Sequence, residues 1–106
     1  MTSDKVSQLQ LTQQNLHSVA AQKQQLESQL AELSSALKEI YTAKESFKII
    51  GQIMVSADKN VLQKELEQKK EIVAIRLKNF TKQEELLTKT IEGLQQEVLK
   101  GSNKHE

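Results

Sequence analysis

The chain contains no cysteine and no proline, and only three aromatic side chains, Tyr41, Phe47 and Phe80, in 106 residues. The lack of cysteine excludes a disulfide framework, thiol catalysis and thiolate metal sites. The lack of proline argues against a chain of many turns, which normally uses that residue to set them. Three aromatics are too few for an ordinary globular centre, and a chain this short forms one domain at most, with a modest core. Charge of one sign is lacking as well. Fifteen Lys plus Arg against fourteen Asp plus Glu leave a net +1, with no strong field to gather nucleic acid or an anionic membrane. No apolar run approaches the roughly 18 residues that span a bilayer, and Met1-Thr2-Ser3-Asp4-Lys5 leads into a Gln-rich stretch without the apolar region of a signal peptide. A cytoplasmic protein with no nucleic-acid or membrane partner is therefore expected. What remains is rich in Leu, Gln, Glu, Lys, Ala and Ser, the composition of long helices, and a packed substrate pocket is not expected.

Two long periodic segments flank a short one of different character. The first follows a three-four spacing through Leu9, Thr12, Leu16, Val19, Lys23, Leu26, Leu30, Leu33, Leu37 and Ile40. The second follows it through Leu66, Lys70, Val73, Leu77, Phe80, Glu84, Leu87, Ile91, Leu94 and Val98. Eight of ten positions are apolar in each, which is a coiled-coil seam and not the broader stripe of a globular helix. At a rise of about 1.5 Å per residue, each helix would reach about 60 Å. Gly93 and Gly101 lower helicity, and the tail from residue 100 to 106 is expected to fray.

Between the seams the period changes. Ser46-Phe47-Lys48-Ile49-Ile50-Gly51-Gln52-Ile53-Met54-Val55-Ser56-Ala57 concentrates β-branched and aromatic residues, with two apolar runs meeting at Gly51-Gln52. Glycine at the first central position suits a type II′ hairpin turn. Asp58 or Ser56 then offers a side-chain acceptor to cap the second helix. The fold expected is mainly α: two long antiparallel coiled-coil helices joined by a short β-hairpin. Its bounds are about 4–44 for helix 1, 46–57 for the hairpin and 59–99 for helix 2, within one domain over 1–106.

The polar seam residues Lys23 and Glu84 lie at nearly equal distances from the reversal. They are either two unrelated polar positions or a pair that fixes the register of the seam. The hairpin raises a second question, because two isolated short strands are marginal in water and their edges carry unpaired backbone groups. Phe47, Ile49, Ile53 and Val55 also need cover, and Val61, Leu62, Ile72 and Ile75 add apolar residues off the seam nearby. An oligomer joined through the hairpins answers these needs; a hairpin folded back on its own helices is the alternative.

Catalytic motifs are missing. The three glycines, at 51, 93 and 101, form no phosphate-cradling loop, and His17 and His105 have no metal-ligand spacing to a carboxylate cluster. Glu84 and Glu85, adjacent on a helix, point about 100° apart and do not share a site. Asn79-Phe80-Thr81 matches a glycosylation sequon, but its Phe80 is a seam residue and chance explains it. No catalytic residue, metal or cofactor is expected. The ends opposite the hairpin bring Val6, Leu9 and Leu11 toward Leu94, Val98 and Leu99, of which Leu11 and Leu99 are off the seam. These are either scattered surface leucines or an apolar grip for non-native or partner chains.

The stretch Ser46-Phe47-Lys48-Ile49-Ile50-Gly51-Gln52-Ile53-Met54-Val55 resembles the hairpin of beta-class prefoldin subunits, with Phe47 where Tyr is common. Leu66-Glu67-Gln68-Lys69-Lys70-Glu71 and Arg76-Leu77-Lys78-Asn79-Phe80-Thr81-Lys82-Gln83-Glu84-Glu85-Leu86 resemble that family's second helix, closer to archaeal beta subunits than to eukaryotic ones. A single hairpin fits the beta class, and the first helix matches as a heptad pattern. The resemblance implies a hexamer of two alpha and four beta subunits, whose hairpins build a double β-barrel platform from which coiled-coil tentacles hang. It implies Phe47, Ile49, Gly51, Ile53 and Val55 as platform residues, and Val6, Leu9, Leu11, Leu94, Val98 and Leu99 as contacts for unfolded clients. It also implies an ATP-independent holdase that passes clients to a group II chaperonin, with an alpha-class subunit and further beta copies as partners. The competing expectation is a structural coiled-coil adaptor that dimerises or tethers partner proteins.

Overall fold

Alternation of Leu with Gln, Ser, Ala and Lys at helical spacing carries the backbone through one α-helix from Thr2 to Thr42 (α1) in the computed structural model of the chain. The structure describes residues 2–103, and the side chains of residues 4–101. After α1 come two five-residue strands, β1 (Ser46–Ile50) and β2 (Ile53–Ala57), then a second helix, α2, from Lys59 to Asn103. Where spacing suggested helix to about 44, α1 stops at Thr42, since the backbone must extend to enter the strand at Ser46. Lys59 closes that end: its Nζ donates to the Tyr41 carbonyl at 3.1 Å, and α1 has no basic residue of its own in its last turn. At the other end of the molecule's sequence, α2 continues through Lys100 and Gly101 to Asn103, into the stretch expected to fray. A glycine costs a helix about 1 kcal/mol, which slows but does not stop propagation. Residues 104–106, including His105, lie outside the described residues.

The strands pair antiparallel with Ser46 opposite Ala57, Phe47 opposite Ser56, Lys48 opposite Val55, Ile49 opposite Met54 and Ile50 opposite Ile53. Gly51 has φ of +64°, and no described non-glycine residue has positive φ. Positive φ at the first central residue alone is the signature of a type II′ turn, whose twist matches the flanking strands. Of the two candidate caps, Asp58 is the one used: its Oδ1 accepts from the Asn60 amide at 2.9 Å. Its carbonyl takes the first helical bond, from the Leu62 amide at 2.9 Å.

Contacts divide the chain into two compact units. The first unit is Met1–Gln24 with Lys78–Glu106, and the second is Gln25–Leu77. In the second unit the antiparallel segments bury Leu26, Leu37, Ile40 and Val73, with Ile40 the least exposed at 5%. Among the described residues of the first unit, Ile91 alone is buried. All five are seam residues, and all twenty seam positions are buried or half-buried. Among the described residues no polar side chain is buried and no large side chain is fully enclosed.

Candidate functional site

Strand alternation gives the hairpin two faces. Ser46, Lys48 and Ile50 share one with Ala57, Val55 and Ile53, while Phe47 and Ile49 share the other with Ser56 and Met54. The first face is partly closed. Ser46, Lys48 and Ala57 are half-buried, and the Lys48 ammonium meets the Glu65 carboxylate of α2 at 3.1 Å. The Ser46 hydroxyl donates to the Ala57 carbonyl at 2.7 Å across the strand pair. The second face is open at Phe47, Ile49 and Met54, and near the turn Ile50 and Ile53 are open too. Ile49, Ile53 and Met54 are the most exposed, at 69%, 67% and 64%. Val55, on the closed face, is the least exposed of the hairpin's large apolar residues.

Of the five residues singled out in the hairpin, four are therefore exposed apolar side chains and Gly51 makes the turn. Ile50 and Met54 belong with them and were missed. Counting the register outward from Gly51-Gln52 would have found Met54, because that turn places it opposite Ile49. The sheet has only two strands, so each has an outer edge with no partner strand among the described residues. Unpaired edges and exposed apolar side chains are what strand addition by another chain would cover. In the same unit an open groove of about 410 Å³ runs between the helical segments, lined by Gln29, Glu32, Leu33, Ala36, Lys69, Ile72 and Val73. Val61, Ile72 and Ile75 are each more than half exposed.

In the first unit the structure brings the first turns of α1 beside the last turns of α2. Lys5 meets Glu97 at 3.3 Å, and Lys23 meets Glu84 at 3.0 Å. The two pairs run in opposite order along the helices, as antiparallel segments require. Val6, Leu9, Leu94 and Val98 are half-buried at this end, whereas Leu11 and Leu99 are exposed. The end therefore offers a closed seam flanked by open leucines. Leu86, which the sequence reading left out, is also exposed, beside a groove of about 400 Å³ lined by Asn15, Ser18, Val19, Gln83, Leu86 and Leu87. Its signal was the Leu86-Leu87 doublet, of which only Leu87 fits the seam. The Lys23–Glu84 pair is the better shielded of the two, with side chains 24% and 29% exposed against 44% and 53% for Lys5–Glu97.

Among the described residues no three His, Asp or Glu side chains gather as a metal site, and no helix is long and apolar enough to cross a membrane. The arrangement supplies apolar surface, strand edges and a register.

Residues 3–102 match the sequence profile of a family described as Prefoldin subunit. The prefoldin subunit beta of Sulfurisphaera tokodaii is 36% identical over 93 residues, covering 85% of this chain and 74% of that protein. The prefoldin subunit beta of Archaeoglobus fulgidus is 36% identical over 96 residues, covering 88% and 83%. The crystal structure of the prefoldin beta subunit from Thermococcus strain KS-1 superposes with a TM-score of 0.87 at 28% identity, over 94% of this chain and 90% of that one.

Proposed function

This chain belongs to the prefoldin subunit family, in its beta class, and from that premise we propose that it is one arm of an ATP-independent holdase. A prefoldin beta subunit is a chaperone subunit and not an enzyme. The further reading is that the hairpin joins this chain to an alpha-class subunit and to further beta copies. Phe47, Ile49, Gly51, Ile53 and Val55, with Ile50 and Met54, form the platform in this reading. The chain ends, through Val6, Leu9, Leu11, Leu94, Val98 and Leu99, hold unfolded proteins in the cytoplasm and pass them to a group II chaperonin.

The observation that carries this reading is the open hairpin. Ile49, Ile53 and Met54 each expose about two thirds of their surface in a two-stranded sheet that is not stable alone. Such a surface is completed by another chain. Once several arms share one platform, each needs only weak affinity. Effective concentration turns several small apolar contacts into retention, while each contact stays individually releasable. Holding unfolded chains in this way lowers their free concentration and suppresses aggregation with no covalent step. The Lys23–Glu84 pair acts in the same account as a register pin, since a seam slip would bury one of the two charges against an apolar partner.

The test is co-expression with an alpha-class subunit, mass measurement in solution, and aggregation of a denatured client without nucleotide. A hetero-oligomer that suppresses aggregation is expected. A monomer, or a dimer joined along its helices, with no effect on aggregation would overturn the holdase reading in favour of a coiled-coil adaptor.

A further inference from the structure

A lysine in an edge strand is normally a guard, because a charge there keeps other chains from pairing with the edge. Lys48, in the middle of β1, is not placed to guard. Its Nζ lies 3.1 Å from Glu65 Oε2, and the two side chains are 42% and 40% exposed. Its charge is drawn back to the chain's own helix. The face made by Phe47, Ile49, Met54 and Ser56 is left without a charged side chain. Glu65 stands about two turns into α2, whereas the backbone joins β2 to α2 through Asp58 alone. Among the described residues, Lys48–Glu65 is the one ion pair or side-chain hydrogen bond that runs from a strand to a helix. It holds the hairpin midway along its length. Cover falls away beyond it, with Ser46, Lys48 and Ala57 half-buried and Ile50 and Ile53 open.

We propose that the Lys48–Glu65 pair is a latch that sets the angle at which the hairpin meets a neighbouring chain. Both are then positioning residues of the assembly, although neither lies on the open face; the proposal rests on the reading of the hairpin as the joining surface. Strand addition needs backbone groups and side chains in register. A surface held within roughly 10–20° of the required geometry loses less freedom on binding. With the latch closed, Lys48 turns toward α2, and Phe47, Ile49 and Met54 stand on the opposite face. With it open, the backbone at Asp58 would be the remaining tie from β2 to α2, and the freed ammonium would stand beside the edge as a guard.

The test is the dissociation constant of the hetero-oligomer with an alpha-class subunit, from mass in solution over a dilution series. Circular dichroism follows helical content alongside. Lys48→Met, which keeps an unbranched stem, and Glu65→Gln should each weaken assembly about threefold per copy of this chain, with helical content unchanged. The reversed pair, Lys48→Glu with Glu65→Lys, should restore it. High salt should narrow the gap between the unmodified protein and the single variants. Lys64→Met, at an exposed charge outside the pair, should change nothing. A guard lysine predicts the opposite, tighter assembly in Lys48→Met, and that result would overturn the latch. So would single variants that assemble normally, or a reversed pair no better than they are, while Phe47→Ser with Met54→Ser abolishes assembly; the hairpin would then remain the joining surface. Assembly that survives all of these variants would overturn both readings.

Discussion

The two units are made by the same rule and finished differently. Both are antiparallel helical segments on a three-four seam, but of the five side chains buried among the described residues Gln25–Leu77 holds four and Met1–Gln24 with Lys78–Glu106 holds one. The seam residues explain the contrast. The unit that carries the hairpin has one polar seam residue, Lys70, while the unit that carries the ends has three, Thr12, Lys23 and Glu84. The hairpin unit also holds the Asp58 cap, the type II′ turn and the Lys48–Glu65 tie. Stability is thus concentrated where the proposed assembly forms, and looseness where the proposed capture occurs. A seam does more than hold two helices together: the placing of its polar exceptions sets how firmly each level is held.

The sharpest way to break this contrast is to remove equivalent apolar groups from each unit. Leu37→Ala or Ile40→Ala should lower stability by about 2–4 kcal/mol, because each leaves a cavity at a buried site. Leu9→Ala or Val98→Ala, at half-buried sites in the other unit, should cost about 1 kcal/mol, part of the lost transfer free energy. Equal shifts in urea midpoint for the two sets would remove the distinction. Next in size is Gly51→Ala in the turn, where φ of +64° should make the substitution cost about 1–2 kcal/mol. Its effect should be larger than that of Gly93→Ala and opposite in sign, since Gly93 holds ordinary helical backbone.

Smaller effects refine the comparison. Asp58→Ala should cost about 1 kcal/mol through loss of the helix cap. A double-mutant cycle between Lys23 and Glu84 should return a coupling of about 0.5–1 kcal/mol at this partly shielded pair, and less at high salt. Zero coupling would reduce the pair to two unconnected polar residues. The exposed Lys5–Glu97 pair should show no measurable coupling in the same cycle, the smallest effect of the series.

Most of the frame was legible because it rests on local rules. Helix period, seam spacing, Gly51 at the turn and the Lys23–Glu84 match all follow from counting along the chain, and each needs only short-range geometry or one reversal. The side-chain ties off the seam were not legible. Lys48–Glu65 depends on which hairpin face turns toward α2, and Lys59 reaching the Tyr41 carbonyl depends on how closely α2 starts beside the end of α1. The choice between Asp58 and Ser56 as cap turned on where the strand ends, a boundary that propensity leaves open. Among the surface residues, Leu11 and Leu99 stand off the seam by spacing alone and are exposed, whereas Met54 and Leu86 needed the register and the burial of their neighbours.

Substituting Leu11 and Leu99 tests the division of labour most directly, because both side chains are exposed and neither substitution should disturb packing. Light scattering of an aggregating denatured client would be followed with the assembled protein carrying Leu11→Ser and Leu99→Ser on every copy of this chain. The account predicts a clear loss of protection with the mass of the assembly unchanged, and the reverse, loss of the assembly itself, for Phe47→Ser with Met54→Ser. Undiminished protection by the Leu11→Ser/Leu99→Ser assembly would contradict it.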